Sequence, residues 1–281
     1  MKSLTLNVSS PSFEIALAGD THEGAAHMHE KGIGELIEYV RSGPKRYWAH
    51  MGDWIEAITT DDKRYSHDSS TDPIPLRQAR AAVKMFSPIA KRCFCGLIGN
   101  HELKLHRFGN LVSDVICKEL RIPYGGYLAR VRVAYRQKTL FNMFLWHGPA
   151  RGTINSNAKD YEQREANLKA ALKMRLKYKM SDCAIMAIGH IHKLIIVPPS
   201  EQLYLHDSGS GIEQGYLQGE QVGPFIDTDR RWYVSTGAFL KLYEEGITGY
   251  AECAGYDPVD LGFAVVTVDS GRIVDIRKRI V

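Results

Sequence analysis

Five apolar, β-rich runs in this chain each stop at a small or polar residue, and that recurrence narrows the possible folds. They are FEIALAGD (Phe13–Asp20), RYWAHMGD (Arg46–Asp53), CFCGLIGN (Cys93–Asn100), TLFNMFLWHG (Thr139–Gly148) and CAIMAIGH (Cys183–His190). A short apolar run closed by turn residues suits a strand covered on both faces. Between the runs, helices are predicted at about 25–42, 74–90, 103–120 and 158–180. The last is the clearest. From Asp160 to Lys179 it has no Gly or Pro, and Tyr161, Ala166, Leu168, Leu172 and Leu176 form an apolar stripe.

The C-terminal third changes character. KLIIVPP, EQLYLHD, RRWYVSTGAFL, GFAVVTVD and GRIVDIRKRI read as strands with Gly-rich joins and little helix. They predict a second mixed sheet packed on the first, giving an α/β fold of four layers: helix, sheet, sheet, helix. Residues 56–72 and 207–229 are polar or Gly-rich and read as surface loops. The 281 residues are expected to form one domain, with a motif-bearing part at 13–193 and residues 194–281 completing the second sheet.

Composition sets outer bounds. With 44% hydrophobic and 24% charged residues the chain has ample material for a core, which excludes disorder as its dominant state. No run approaches the ~18 apolar residues of a membrane span, and residues 1–20 lack the basic start and apolar core of a signal peptide. The five cysteines, an odd and scattered set, form no disulfide framework; Cys93 and Cys95 read as buried strand thiols. A cytoplasmic protein with no membrane partner is expected. The net charge of +4 is too small to require nucleic acid, and it does not oppose a phosphate substrate.

The strand ends carry the chemistry. The first run ends in Asp20-Thr21-His22, the second in Gly52-Asp53 and the third in Gly99-Asn100-His101-Glu102. The fourth ends in His147-Gly148 and the fifth in Gly189-His190-Ile191-His192. In α/β folds ligands gather at the carboxyl ends of strands. A single Asp or His there is usually a turn residue, but five such termini together would leave buried polar groups without partners. Two carboxylates, one carboxamide and four imidazoles make a mixed O/N set that suits Mn, Fe, Zn, Ni or Co. Seven ligands exceed what one catalytic ion takes, and fit two divalent ions if one carboxylate bridges them.

D-x-H, GD, GNH-E, H-G and G-H-x-H, in this order across residues 13–193, resemble the motifs of the calcineurin-like metallophosphoesterase family. The resemblance implies the same two-sheet sandwich and a binuclear centre holding two divalent transition-metal ions, with manganese the first expectation. Asp20, His22 and His192 would bind one metal, Asn100, His147 and His190 the other, and Asp53 would bridge. The implied reaction is hydrolysis of a phosphate ester by a metal-held hydroxide. His101 matches the family's histidine beside the substrate, which assists the leaving oxygen. Glu56, three residues after the bridging Asp, stands where the family orients that histidine.

Departures from the family shape the substrate expectation. The protein phosphatases of this superfamily carry an arginine directly after GDxxD, where this chain has Ala57, and only Lys104 matches their second phosphate-binding arginine. One fixed cation fewer favours phosphodiesters over phosphomonoesters. Arg151, following His147-Gly148-Pro149-Ala150, is a candidate phosphate clamp. His27 and His29 read as a solvated pair at a helix start, and His50 as a core histidine. A nuclease is the second reading, supported by the basic face Lys173–Lys179. The reading from another class is a non-catalytic metal-binding interaction module on the same fold.

Overall fold

The computed structural model describes residues 1–149, 152–216, 220–243, 245, 255 and 257–281. Its strands are β1 Lys2–Asn7, β2 Phe13–Ala18, β3 Arg46–His50, β4 Cys93–Leu97, β5 Tyr124–Gly126, β6 Leu128–Tyr135 and β7 Lys138–Trp146. They continue as β8 Ile185–Ile188, β9 Leu194–Val197, β10 Leu203–Asp207, β11 Ile212–Tyr216, β12 Trp232–Thr236, β13 Gly262–Asp269 and β14 Arg272–Ile280. The helices are α1 Glu30–Ser42, α2 Pro75–Phe86, α3 Asn100–Leu103, α4 Lys118–Leu120 and α5 Tyr161–Leu176.

Two six-stranded mixed sheets form the middle of the molecule, in the orders β1-β6-β7-β8-β12-β9 and β14-β13-β2-β3-β4-β5. Three apolar clusters lie between successive layers. Ile15, Leu17, Val131, Met143, Val234 and Val266 meet between the sheets. Trp48, Trp54, Phe86 and Phe263 join the β2–β5 sheet to α1 and α2. Leu168, Leu172 and Leu176 of α5 cover Met186, Ile188, Ile195 and Tyr233 on the other sheet. Burying each such side chain contributes roughly 1.5–3 kcal/mol, and the three clusters together are the four-layer sandwich.

The partition of strands differs from the expectation. The five motif-bearing strands do not share a sheet: β2, β3 and β4 lie in one, β7 and β8 in the other. The C-terminal strands likewise divide, β9 and β12 joining β8 while β13 pairs antiparallel with β2. Because β2, β3 and β4 run parallel, and β7 and β8 run parallel, their carboxyl ends form two rims. A hydrogen bond from His190 N to the Asp20 carboxylate, at 3.0–3.2 Å, joins these rims across the two sheets.

Three local expectations also change. The helix expected from 25 begins at Glu30, because residues 22–28 turn and bridge outward, Ala25 to Ser70 and Met28 to Leu240. The helix expected over 103–120 is broken into α3, a turn at His106–Phe108, a wide turn at Val112–Cys117 and α4. Gly109 at φ +122° and the Asn110 side chain, accepting from Ser113 N, impose that break. Residues 207–229 are not all loop: β10 and β11 form a hairpin outside both sheets.

Arg231, at the start of β12, is only 1% exposed. Its guanidinium donates to the carbonyls of Ile226 (2.8 Å), Met180 (2.5 Å), Ser181 (3.0 Å) and Lys177 (3.3 Å), tying β12 to the end of α5. Among the described residues no helix is long and apolar enough to cross a membrane. The four described cysteines, Cys93, Cys95, Cys117 and Cys183, are free and buried; Cys253 lies outside the described residues.

Candidate metal centre

The loop after β2 lies against the loop after β3 through main-chain bonds. Asp20 N donates to Gly52 O, Thr21 N and His22 N to Asp53 O, and Glu23 N to Trp54 O, at 2.9–3.2 Å. These turns are tight enough to force unusual backbone conformations. Asp20 (φ 53°), His22 (49°), Asp53 (51°), His190 (66°) and His192 (53°) are all left-handed, a costly state for residues with a Cβ. Gly99 is required here, since a Cβ at that position would meet Asp53 Oδ1 at 2.0 Å.

The side chains from both rims converge. Ligand atoms of Asp20, His22, Asp53 and His192 lie within 4.8 Å of one another, as do those of Asp53, His147 and His190. Asp53 belongs to both groups. Its Oδ2 is 3.9 Å from His22 Nε2 and 3.4 Å from His147 Nε2, while Oδ1 accepts from His101 N at 2.9 Å. Asn100 Oδ1 is 2.9 Å from His147 Nε2. All seven residues proposed as ligands from the sequence therefore meet.

Proton positions decide what the cluster lacks. His22 Nδ1 donates to Glu56 Oε2 at 2.7 Å, and His147 Nδ1 donates to the Met51 carbonyl at 2.8 Å. With Nδ1 so committed, each Nε2 points inward, free to take up a proton or to offer a lone pair to a cation. His22 Nε2 faces His192 Nε2 at 3.3 Å, and His147 Nε2 faces two oxygens. Electron-rich atoms confronting one another in a buried site fit cations between them.

The electrostatics carry the same signature. Burial alone would pull the His22 imidazole down, but Glu56, Asp53 and Asp20 outweigh it and bring it up to about 9. Burial opposes His147 likewise, and Asp53 and Asp20 bring it to about 9. Asp53 is held well below the usual carboxylate range despite its burial, chiefly by His147 and His101. His190 moves the other way, to about 4, through burial and the neighbouring His147 charge.

Glu56 is placed differently from the expectation. Its carboxylate bonds His22 and stands 3.7 Å from His101 Nδ1; that nitrogen meets the Glu56 main-chain carbonyl at 2.5 Å. Glu102 is buried, and its carboxylate accepts from Trp54 N, Ile55 N and Gly99 N at 2.5–3.0 Å, locking the second and third loops together. Lys104 is exposed at the end of α3. Arg151 lies outside the described residues. His27, expected to be solvated, is buried, with its Nε2 lacking a partner, and residues 239–241 run beside it, Lys241 N donating to its carbonyl.

Two residues at the site carry no motif. Arg64, gripped by Asp62 at 2.6 and 3.0 Å, lies in the fields of Glu56 and Asp53, and its charge also acts on Lys104. The Tyr127 ring stands edge-on to His147, centroids 5.6 Å apart, and its hydroxyl is buried without a partner. The GGYL turn that ends β5 was the available signal for Tyr127; nothing local marked Arg64.

No protein-family model matches the chain, and no curated protein sequence does. Solved structures do match it. A metallophosphoesterase from Sphaerobacter thermophilus is 15% identical, with 95% of this chain and 88% of that one covered and a TM-score of 0.37. A calcineurin-like phosphoesterase from Bacillus subtilis is 11% identical, with coverage of 96% and 90% and a TM-score of 0.42. A nuclease from Pseudomonas putida is 11% identical, with coverage of 94% and 87% and a TM-score of 0.34. The structures this chain is similar to, over nearly its whole length, include metallophosphoesterases.

Proposed function

We propose that this chain is a metal-dependent phosphoric ester hydrolase with a binuclear centre at the joined rims. The observation that carries the reading is the sharing of Asp53 by two groups of inward-facing ligand atoms, each within 4.8 Å. Asp20, His22 and His192 would hold one cation, Asn100, His147 and His190 the second, with Asp53 between them. Two divalent cations there would polarise a phosphoryl group and supply a nucleophile from water. Manganese is the first ion to test.

The chain's own residues do the rest. Glu56 holds the proton on His22 Nδ1, keeping Nε2 free for a metal, as a carboxylate behind a ligating histidine does. The Glu56 carbonyl fixes the His101 ring, leaving His101 Nε2 to hold or yield a proton beside the leaving oxygen. Phosphodiesters stay ahead of monoesters because Ala57 stands where the protein phosphatases carry an arginine. The Arg64 charge, held by Asp62, acts on Glu56 and Asp53, and its removal tests that order.

Nucleic acid is the second substrate class, and the cations Arg64 and Lys104 beside the centre favour it over the basic face on α5. On that helix Lys173 pairs with Asp229 at 2.5 Å, and Arg175 donates to the Thr153 carbonyl. The cytoplasm remains the proposed compartment, supported by four buried free thiols.

The test is a panel of aryl phosphodiesters, aryl phosphomonoesters, and single- and double-stranded DNA and RNA, with Mn²⁺. Diester hydrolysis by the wild type, and its loss in Asp53→Asn, is the expected result. Equal turnover by Asp53→Asn, at equal purity, would overturn the assignment.

A further inference from the structure

His50 is wholly buried at the end of β3, three residues before Asp53. Its surroundings fix both ring nitrogens. Gly52 N donates to His50 Nδ1 at 3.2 Å, so the ring proton sits on Nε2. That Nε2–H faces Thr21 Oγ1 at 3.1 Å, and the Thr21 hydroxyl passes its own proton to the Trp54 carbonyl at 3.0 Å. The chain of donors thus runs in one direction, Gly52 to His50 to Thr21 to Trp54, with no atom left over.

Each partner of His50 belongs to a ligand-bearing turn. Thr21 lies between Asp20 and His22, and Gly52 (φ +100°) precedes Asp53. The indole of Trp54 stacks on the His50 ring, centroids 3.6 Å apart and 12° from parallel, and its Nε1 donates to Leu97 O at the end of β4. One neutral imidazole therefore touches the loop after β2 and the loop after β3, and through Trp54 it reaches the strand leading to Asn100. Left-handed conformations at Asp20, His22 and Asp53 persist only where surrounding contacts over-determine them. The backbone bonds between the two loops supply part of that constraint, and the His50 chain supplies a side-chain cross-brace beneath it.

We infer that His50 is a positioning residue: through Thr21 and Gly52 it holds the turns that present Asp20, His22 and Asp53, and so sets the affinity of the centre for divalent metal. This rests on the reading of those residues as metal ligands. A histidine is suited to the role because its two nitrogens, one accepting and one donating, span two loops, while its flat ring packs on Trp54.

The test measures Mn²⁺ affinity at equilibrium, alongside the melting temperature of the metal-free protein and hydrolysis of an aryl phosphodiester. His50→Phe keeps the stacked ring and removes both hydrogen bonds; its affinity for Mn²⁺ is expected to fall about 10–100-fold. His50→Asn, whose Oδ1 replaces Nδ1 toward Gly52, should recover part of that loss. Thr21→Val should lower affinity similarly, and adding it to His50→Phe should cost little more. Wild-type Mn²⁺ affinity in His50→Phe, with only its melting temperature changed, would make His50 a packing residue and overturn the proposal. If His50→Phe does not fold, wild-type affinity in both His50→Asn and Thr21→Val would overturn it equally. Failure of the wild type itself to bind Mn²⁺ would instead remove the metal-centre reading on which the proposal rests.

Discussion

Arg231 and His147 are equally inaccessible, yet their polar atoms end in different company. The guanidinium of Arg231 is surrounded by four main-chain carbonyls, each taking a proton it has to give. The imidazole of His147 satisfies its Nδ1 on Met51 and then turns its Nε2 toward Asn100 and Asp53, two further acceptors. The first cluster closes within the protein. The second closes only around a positive charge taken from outside it, a proton or a metal ion. Burial and polarity are common to both, so neither alone marks a functional site. The balance of donors against acceptors does, because an unmatched buried polar group costs about 1–3 kcal/mol and persists only where something compensates it.

The comparison breaks most easily at Arg231. Arg231→Met takes a donor from four carbonyls, of which that of Ser181 keeps Ile226 N, and a loss on the order of 4 kcal/mol is expected from a urea titration, at the top of what single substitutions produce. A change under about 1 kcal/mol would mean the cluster does not close the structure as described.

His101 sharpens the other side, since it borders the centre without belonging to the ligand set. His101→Gln is expected to lower kcat by about 10²–10⁴-fold with Mn²⁺ affinity unchanged. Loss of metal affinity in step with kcat would move His101 among the ligands.

A smaller effect separates the two clusters directly. Free Mn²⁺ at 100 times its Kd should raise unfolding stability by about 2.7 kcal/mol per site, and Arg231→Met should keep that increment on its lower baseline. Calorimetry with and without chelator reads both; an increment lost in Arg231→Met would couple clusters that the structure keeps apart.

The smallest effect concerns His50, closed like Arg231 but lying beneath the centre. Burial holds its imidazole down at about 3, against 6.5 in the unfolded chain. Below pH 6.5 the unfolded state binds a proton that the folded state refuses, so its contribution is lost progressively as pH falls toward 3. At pH 5 this amounts to about 2 kcal/mol, and the metal-free His50→Phe protein should show a correspondingly shallower acid slope than the wild type.

The strand ends were readable from residues because each parallel strand stops at a turn that the local chain must itself encode. Gly52-Asp53 and Gly99-Asn100-His101 announce themselves without knowledge of their neighbours. Which sheet each strand enters is a different kind of information. β13 pairs with β2 across some 250 residues of chain, and no local pattern records that choice. β6 carries no long apolar run of its own, because it alternates buried and half-buried residues. At Glu56 the carbonyl, which no sequence distinguishes, meets His101, while the carboxylate goes to His22. His27 is buried where its main chain pairs with residues 239–241, more than two hundred positions away.

The bond from His190 N to the Asp20 carboxylate spans 170 residues and both sheets. Closing a loop of that length costs more chain entropy than pairing β2 with β3 or β7 with β8. A half-assembled chain, with one sheet formed, owns Asp20, His22, Asp53 and Asn100 but not His147, His190 or His192, so it has fragments of two sites and neither whole. Under the proposed assignment, tight metal uptake would belong to the finished molecule alone, and the ion would act as an inspector of folding, passing over intermediates and retaining only the native state.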